Sequence, residues 1–377
     1  MALVSVNPGD IVTGQPLKYS LYDGRGHLLL REGVVVRTER QRDALLMRGT
    51  YRHDDPDKNE DLDNALTPEA VVDNEYAYPF ERLDGLFHRL ARVFLSVAEH
   101  GYPDQELLLK VVRDLRRLYK QSPDAMLGAV HICHEYDYTL CHPVHCALLV
   151  QMMSSVLEYD DQRQESLIAA ALTQNIGMLE LQQQLQSQET PLTEEQRQAI
   201  QRHPQQAVEM LRAGGVEDEL WLNIVAQHHE SYDGSGYPNG LRGDEILEEA
   251  QLLRLTDRYA AAISARAYRP GLEPRESLQI IYHAQDQLAR SDLVQRFIRE
   301  LGIYPPGSFV KLVNGETSIV IRRGGPLRPT VSSYIGPRGA PMMRAFRRDT
   351  AQEQYRIVTT VRPDPTIQID LTTTWAY

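Results

Sequence analysis

Residues 228–243, HHESYDGSGYPNGLRG, set two adjacent imidazoles and a carboxylate ahead of a run of turn-forming residues. Neighbouring imidazoles at the mouth of a glycine-rich loop suit a transition-metal site, because histidine nitrogen is a ligand that zinc, iron and related ions share. Four other stretches carry metal-ligand types or interrupt an apolar helix. HICHEYDYTLCHPVHC, residues 131–146, holds four histidines and three cysteines. Thiolate and imidazole suit zinc, but these spacings contain no CxxC pair; His142 with His145 or Cys146 would share one helical face. His203, in RHPQQAVEML, reads as lying near a helix start, where a lone histidine is most often on the surface. AALTQNIGMLEL, residues 170–181, reads as a buried helix interrupted by two neutral amides, Gln174 and Asn175. Asp257, in LLRLTDRYAAAI, is an acid inside an apolar helix, and burying a carboxylate is costly unless its charge is paired or bound to a metal.

The elements that must position these residues follow from the period of the apolar pattern. Residues 1–52 hold short alternating runs such as LKYSLYDGRGHLLLREGVVV, in which Asp23 and Gly24 mark a hairpin turn; they read as a small β-rich module. Residues 53–75, including DPDKNEDLDNALTPEA, have the composition of an acidic exposed linker. From 76 to 302 apolar residues recur at three and four, as in FERLDGLFHRLARVFLSVAEH, which predicts an all-helical domain. Within it Thr193 and Gln196 have the spacing of a capping box. Residues 303–377 return to strand-like runs broken by Gly, Pro and Asn-Gly, a second small β-rich module. The expected fold class is mainly α: a helical domain flanked by two β-rich modules.

Composition narrows the function classes. With 377 residues, 42% hydrophobic and 24% charged, the chain suits two or three globular units. It holds no apolar run near the roughly 18 residues of a membrane span. No basic segment followed by an apolar one opens the chain, so a cytoplasmic protein is expected. Three cysteines argue against a disulfide framework. The net charge is −12, but residues 301–377 carry ten Lys and Arg against five Asp and Glu, a local balance of +5 that leaves −17 for residues 1–300. That acidic body opposes the phosphate-backbone attraction on which DNA binding rests, so no DNA partner is expected.

Taken together, HHESYDGSGYPNGLRGDEI, YDYTLCHPVHC, RHPQQAVEML and LTDRYAAAISARAYRPGLEPRESL resemble, in order, the motifs of the HD-GYP family, bacterial phosphodiesterases that open cyclic di-GMP. The resemblance spans roughly residues 125–300. It implies metal ligands at His142, His203, His228, His229 and Asp257, and contacts to a cyclic dinucleotide from Tyr237, Arg266 and Arg269. Chemically those contacts are sound, since guanidinium forks onto phosphate and an aromatic ring offers a base a stacking face. The loop formed by Asp233, Gly234, Gly236, Tyr237 and Pro238 is implied as an interaction surface, with a diguanylate cyclase or another signalling protein as its partner.

The departure falls at the catalytic pair. Where the family reads His, Asp, Ile, Gly, Lys, this chain reads Gln174, Asn175, Ile176, Gly177 and Met178. Two-metal hydrolysis of a phosphodiester clamps attacking and leaving oxygens between ions on the order of 4 Å apart. A bridging carboxylate holds such a pair; a neutral amide supplies one weak carbonyl donor and no charge. The expectation is therefore a catalytically impaired member, with at most one transition metal (Fe, Mn or Zn), acting as a nucleotide sensor or protein-interaction scaffold. The alternative expectation is an active metal-dependent cyclic di-GMP phosphodiesterase with an altered site.

Overall fold

The computed structural model describes residues 3–13, 15, 17–19, 21–22, 28–30, 36, 42, 45–46, 51–53, 79–265, 270–325, 328–363, 369 and 371–375. The chain divides into two compact units, 1–77 and 78–377. Asp23, Gly24 and all of the expected linker after His53 lie outside the described residues.

In the first unit, β1 (Leu3–Ser5), β2 (Leu21–Tyr22), β3 (Leu28–Leu30) and β4 (Tyr51–His53) form an antiparallel sheet in the order β1-β4-β2-β3. The β2–β3 neighbours are the two segments that flank the expected hairpin turn. Val6, Ile11, Leu17, Leu21 and Val36 form its core.

The second unit is built on helices: α1 (Pro79–His100), α2 (Gln105–Gln121), α3 (Pro123–Ile132), α4 (Tyr138–Val156), α5 (Asp161–Thr173), α6 (Leu179–Ser187), α7 (Glu194–Ala213), α8 (Glu219–Gln227), α9 (Glu248–Ile263), α10 (Pro274–His283), α11 (Gln285–Leu288) and α12 (Ser291–Leu301). Side-chain caps set several of their starts. Asp104, Asp160 and Asp218 each accept a backbone amide of the first turn, satisfying donors that a helix start leaves unpaired. At α7 the expected capping box forms: Thr193 Oγ1 accepts the Gln196 amide at 3.2 Å, and Gln196 Oε1 accepts the Thr193 amide at 3.0 Å.

Helix α4 is buried continuously from Cys141 to Ser154, the behaviour of a central helix with no polar face. It packs against α5 and α9, while α8 packs against α5, α7 and α9. Five helices thus pack together around one largely apolar core.

After α12 come β5 (Phe309–Leu312), β6 (Thr317–Arg322), β7 (Thr330–Ile335), β8 (Pro341–Asp349) and β9 (Ile357–Thr360), an antiparallel sheet in the order β8-β7-β6-β5-β9, followed by α13 (Leu371–Trp375). This sheet belongs to the same compact unit as the helices. Gly307 (φ +88°) lies so close to α3 that a Cβ would meet the Gly128 carbonyl oxygen at 2.7 Å, and Arg323 pairs with Asp124 at 2.7 Å. Trp375 closes over Gly128 and meets the Phe80 ring edge-on at 5.3 Å.

Candidate metal centre

His203, His228 and His229 converge, with one ligand nitrogen from each lying within 4.8 Å of the others. His203 is mid-helix in α7 and fully buried, not on the surface near a helix start as its sequence context suggests. The next residue explains its orientation. Pro204 has no N–H, so the Ile200 carbonyl lacks its helical partner and instead accepts His203 Nδ1–H at 2.6 Å. His228 follows the last residue of α8 and donates its Nδ1–H at 2.6 Å to the Val225 carbonyl, one of the acceptors a helix end leaves open.

These two bonds fix the tautomers, because a carbonyl can only accept. Both Nε2 atoms then carry lone pairs, and they face each other at 3.2 Å. Burial lowers the histidine pKa values, to about 3 for His203 and about 4 for His228, and His229 falls well below its ordinary value for the same reason. Neutral rings with opposed lone pairs repel unless a cation lies between them. Three imidazoles arranged in this way fit one transition-metal ion, with backbone carbonyls holding two of the ligands in the required tautomer.

A second group faces the first. His142 and Cys146 lie one turn apart on α4, and Asp257 comes from α9. His142 Nε2 is 2.8 Å from Asp257 Oδ1 and 3.7 Å from Cys146 Sγ; its Nδ1 is 3.2 Å from the Tyr138 hydroxyl. Burial opposes charge on His142, yet Cys146, Tyr138 and the bond to Asp257 together raise its pKa well above the ordinary value. Burial likewise disfavours the Asp257 carboxylate, but the hydrogen bond and charge of His142 hold it well below the usual carboxylate range. The acid inside the apolar helix is therefore paired, as its cost of burial requires. His145, the other candidate on this helix, is turned away and bonds through Nε2 to the Cys133 carbonyl at 3.1 Å.

Gln174 and Asn175 follow α5 and precede a 3-10 turn, Ile176–Met178, that packs on α7. A Cβ at Gly177 would meet the His203 carbonyl oxygen at 2.5 Å, so the absence of a side chain there lets this turn reach the histidine helix. Gln174 is fully buried and Asn175 nearly so. Both amide atoms of Gln174 and Oδ1 of Asn175 have no hydrogen-bond partner among the described residues. Uncharged and unpaired, these side chains do not fit the bridging role between two dications. Met178 is half-buried and supplies no charge.

The loop after His229 is held by side chains whose roles the sequence does not reveal. The buried Glu230 carboxylate accepts the Asn239 amide at 2.7 Å and the Leu241 amide at 3.0 Å, joining the loop's two ends. From α9, Arg254 donates to the His229 carbonyl at 3.0 Å and to Ser231 Oγ at 2.7 Å. Asp233 accepts the Ser235 amide at 3.0 Å, a local turn. Gly234 (φ +82°) has a backbone conformation that favours glycine, and at Gly236 a Cβ would meet the Ser231 nitrogen at 2.2 Å. Tyr237 lays its ring against His229, with centroids 4.8 Å apart and planes 25° apart, and with Pro238 it borders an open cleft of about 530 Å³ along the outward face of α7. Arg266 and Arg269 lie outside the described residues.

Residues 132–292 match the HD domain family, the class that this helical bundle and its histidine-rich centre define. Several relatives of this chain are cyclic-dinucleotide phosphodiesterases. The chain is 28% identical over 224 residues, 58% of this chain, to a cyclic di-GMP phosphodiesterase of Pseudomonas aeruginosa. It is 22% identical over 185 residues, 49% of this chain, to the cyclic di-GMP phosphodiesterase PdeB of Borreliella burgdorferi. These matches span 53% and 48% of the two relatives' own lengths. A third relative, 3'3'-cGAMP-specific phosphodiesterase 1 of Vibrio cholerae, is 30% identical over 162 residues, 42% of this chain and 37% of that protein. In fold, the chain is similar to Bd1817, an HDG"Y"P protein from Bdellovibrio bacteriovorus, with a TM-score of 0.55 at 18% identity over 78% of this chain and 98% of that one. Among the described residues no helix is long and apolar enough to cross a membrane.

Proposed function

We propose that this chain is a catalytically impaired HD-GYP protein that takes part in cyclic di-GMP signalling as a nucleotide sensor or protein-interaction scaffold. One observation carries the proposal: the buried Gln174 and Asn175 side chains beside the histidine helix are neutral amides with atoms left unpaired. A bridging carboxylate screens the repulsion between two dications, and an amide brings no charge to do so. His203, His228 and His229 would hold one transition metal, which as a Lewis acid polarises a bound oxygen. The chain's own contribution would then be recognition, with Tyr237 presenting an aromatic edge beside the His229 centre and Arg266 and Arg269 meeting phosphate. The loop from Asp233 to Pro238 would be the contact for a diguanylate cyclase or another signalling protein.

The survival of both ligand groups favours a second reading, an active phosphodiesterase with an altered site. Incubating the purified chain with cyclic di-GMP and Mn(II) or Fe(II) separates the two: no turnover is expected, and sustained formation of linear or monomeric guanylate would overturn the proposal. The pair Gln174→His with Asn175→Asp is expected to create turnover where the native pair has none. Calorimetry with cyclic di-GMP then distinguishes the sensor, which gives a binding isotherm, from a scaffold that does not bind the nucleotide.

A further inference from the structure

We infer that the cleft along the outward face of α7 reads a guanine base, with Arg202 on its O6 and N7 edge and Glu209 on its N1 and N2 edge. The inference rests on the nucleotide-binding reading above and deepens it, by naming the base that a bound dinucleotide must carry.

Position is the first support. Tyr237 is a wall that the histidine centre and the cleft share: its ring lies on His229 and also borders the cleft. A nucleotide whose phosphate lies at the centre passes Tyr237 to bring its base onto α7. The cleft, about 530 Å³, falls within the usual range for small ligands, roughly 300–1,000 Å³.

The second support is the state of the polar groups. Arg202 and Glu209 are seven residues apart on α7, two turns along one face, and both line the cleft. Exposed helix charges ordinarily pair three or four residues away. Neither does so here. Arg202 uses only Nε, on the Gln198 carbonyl at 3.3 Å, and its two terminal nitrogens have no partner among the described residues. Arg212, three residues after Glu209, pairs with Glu219 instead, and the Glu209 carboxylate has no partner among the described residues. Gln201, Gln205 and Gln206 add amides to the same wall, donors and acceptors for a ribose.

The third support is chemical match. Guanine offers two adjacent acceptors, O6 and N7, which a guanidinium fork takes as a bidentate pair. Its N1–H and N2–H donors are adjacent as well and suit the two oxygens of a carboxylate. Adenine reverses both edges: its N6 amino group donates towards the guanidinium, and its N1 lone pair faces the carboxylate. Opposite charges on the two sides therefore select guanine, each bidentate pair by about tenfold.

Calorimetry on the full chain with Mn(II) reads this preference with three probes: cyclic di-GMP, 3'3'-cGAMP and cyclic di-AMP. One cleft reads one base, so the first two, each holding a guanine, are expected to bind within about fivefold of each other, and cyclic di-AMP about tenfold or more weakly. Glu209→Gln should weaken cyclic di-GMP about tenfold and leave cyclic di-AMP unchanged or tighter, because an amide donates to adenine N1. Arg202→Met should likewise weaken cyclic di-GMP more than cyclic di-AMP. Arg197→Met, on the same helix but outside the cleft and paired with Glu194, is the control and should change none of the three. Circular dichroism establishes that each variant is folded. Equal affinity for the three probes, or the same loss for all of them in Glu209→Gln, overturns the inference and leaves the sensor reading standing. No binding of any probe overturns the inference and the sensor reading together, leaving the scaffold. Turnover of cyclic di-GMP with the guanine preference kept, read then as a ratio of KM values, rejects the impaired-enzyme reading alone.

Discussion

His203 Nε2 and His228 Nε2 face each other at 3.2 Å while each ring donates its Nδ1 proton to a backbone carbonyl. Neither ring can turn its other nitrogen inward without losing that bond, so the pair is set for a cation and is under electrostatic strain without one.

Burial of the two rings gives the metal-free protein a definite pH dependence. Both folded-state pKa values lie below the ordinary 6.5, at about 3 and about 4. Above 6.5 the rings are neutral in both folded and unfolded chains, and no stability depends on them. As the pH falls through 6.5 the unfolded chain binds protons that the folded chain resists, so stability declines, with the loss complete only below the folded values. Thermal melts of chelator-treated protein between about pH 7 and pH 4 should show a falling Tm. The fall should be shallower in the His203→Gln, His228→Gln double variant. Returning metal at about 100 times its Kd should restore roughly 2.7 kcal/mol at neutral pH.

Gly177 is the point at which the 174–178 segment meets the histidine helix. An added Cβ would lie 2.5 Å from the His203 carbonyl oxygen and 2.8 Å from the Ala207 nitrogen, both backbone atoms that cannot swing aside. Gly177→Ala should therefore displace α7 or the turn and cost about 1–3 kcal/mol, the usual penalty for overpacking. Urea denaturation measures that loss. Metal affinity of the three-histidine centre should fall with it, because His203 moves with its helix.

Arg254 links the two ligand groups through the backbone. It lies three residues before Asp257 on α9, yet its guanidinium holds the His229 carbonyl and the Ser231 hydroxyl. Arg254→Gln should leave the fold intact and weaken metal binding at the three-histidine centre about 10- to 100-fold, the range for partners that orient a ligand. Competition with a chromophoric chelator gives the constant. Unchanged affinity would mean that His229 is positioned by the Tyr237 stack alone.

The sequence pattern exposes the ligands but not everything that aims them. The helical period from 76 to 302, the capping box at Thr193 and the adjacent histidines at 228 and 229 are local features, and local features survive in a one-dimensional pattern. His203 is harder to place, because its burial depends on Gly177 arriving from another element. The Pro204 that frees a carbonyl for it was visible in the sequence as HP, but the consequence needs the helix to continue through the proline. Glu230 was less legible still. Its partners are backbone amides nine and eleven residues away, and amides carry no residue-specific signal.

Glu230 also supplies the test of how the Tyr237 loop is kept in shape. A carboxylate with 1% of its residue surface exposed normally destabilises a fold, but here two backbone donors compensate it, and each would be orphaned by its removal. Glu230→Ala should cost about 1–3 kcal/mol for those unmet amides, concentrated in the loop and leaving the helical core intact. Hydrogen exchange distinguishes a local from a global loss: the amides of Asn239 and Leu241 should exchange faster, while core amides in α4 keep their protection. Glu230→Gln retains one acceptor oxygen and should fall between the wild type and the alanine variant. Because Tyr237 lies two residues before Asn239 and stacks on His229, the alanine variant should also bind metal more weakly at the histidine centre. Equal exchange at Asn239 and Leu241 in all three proteins would show that the loop holds its shape without the carboxylate.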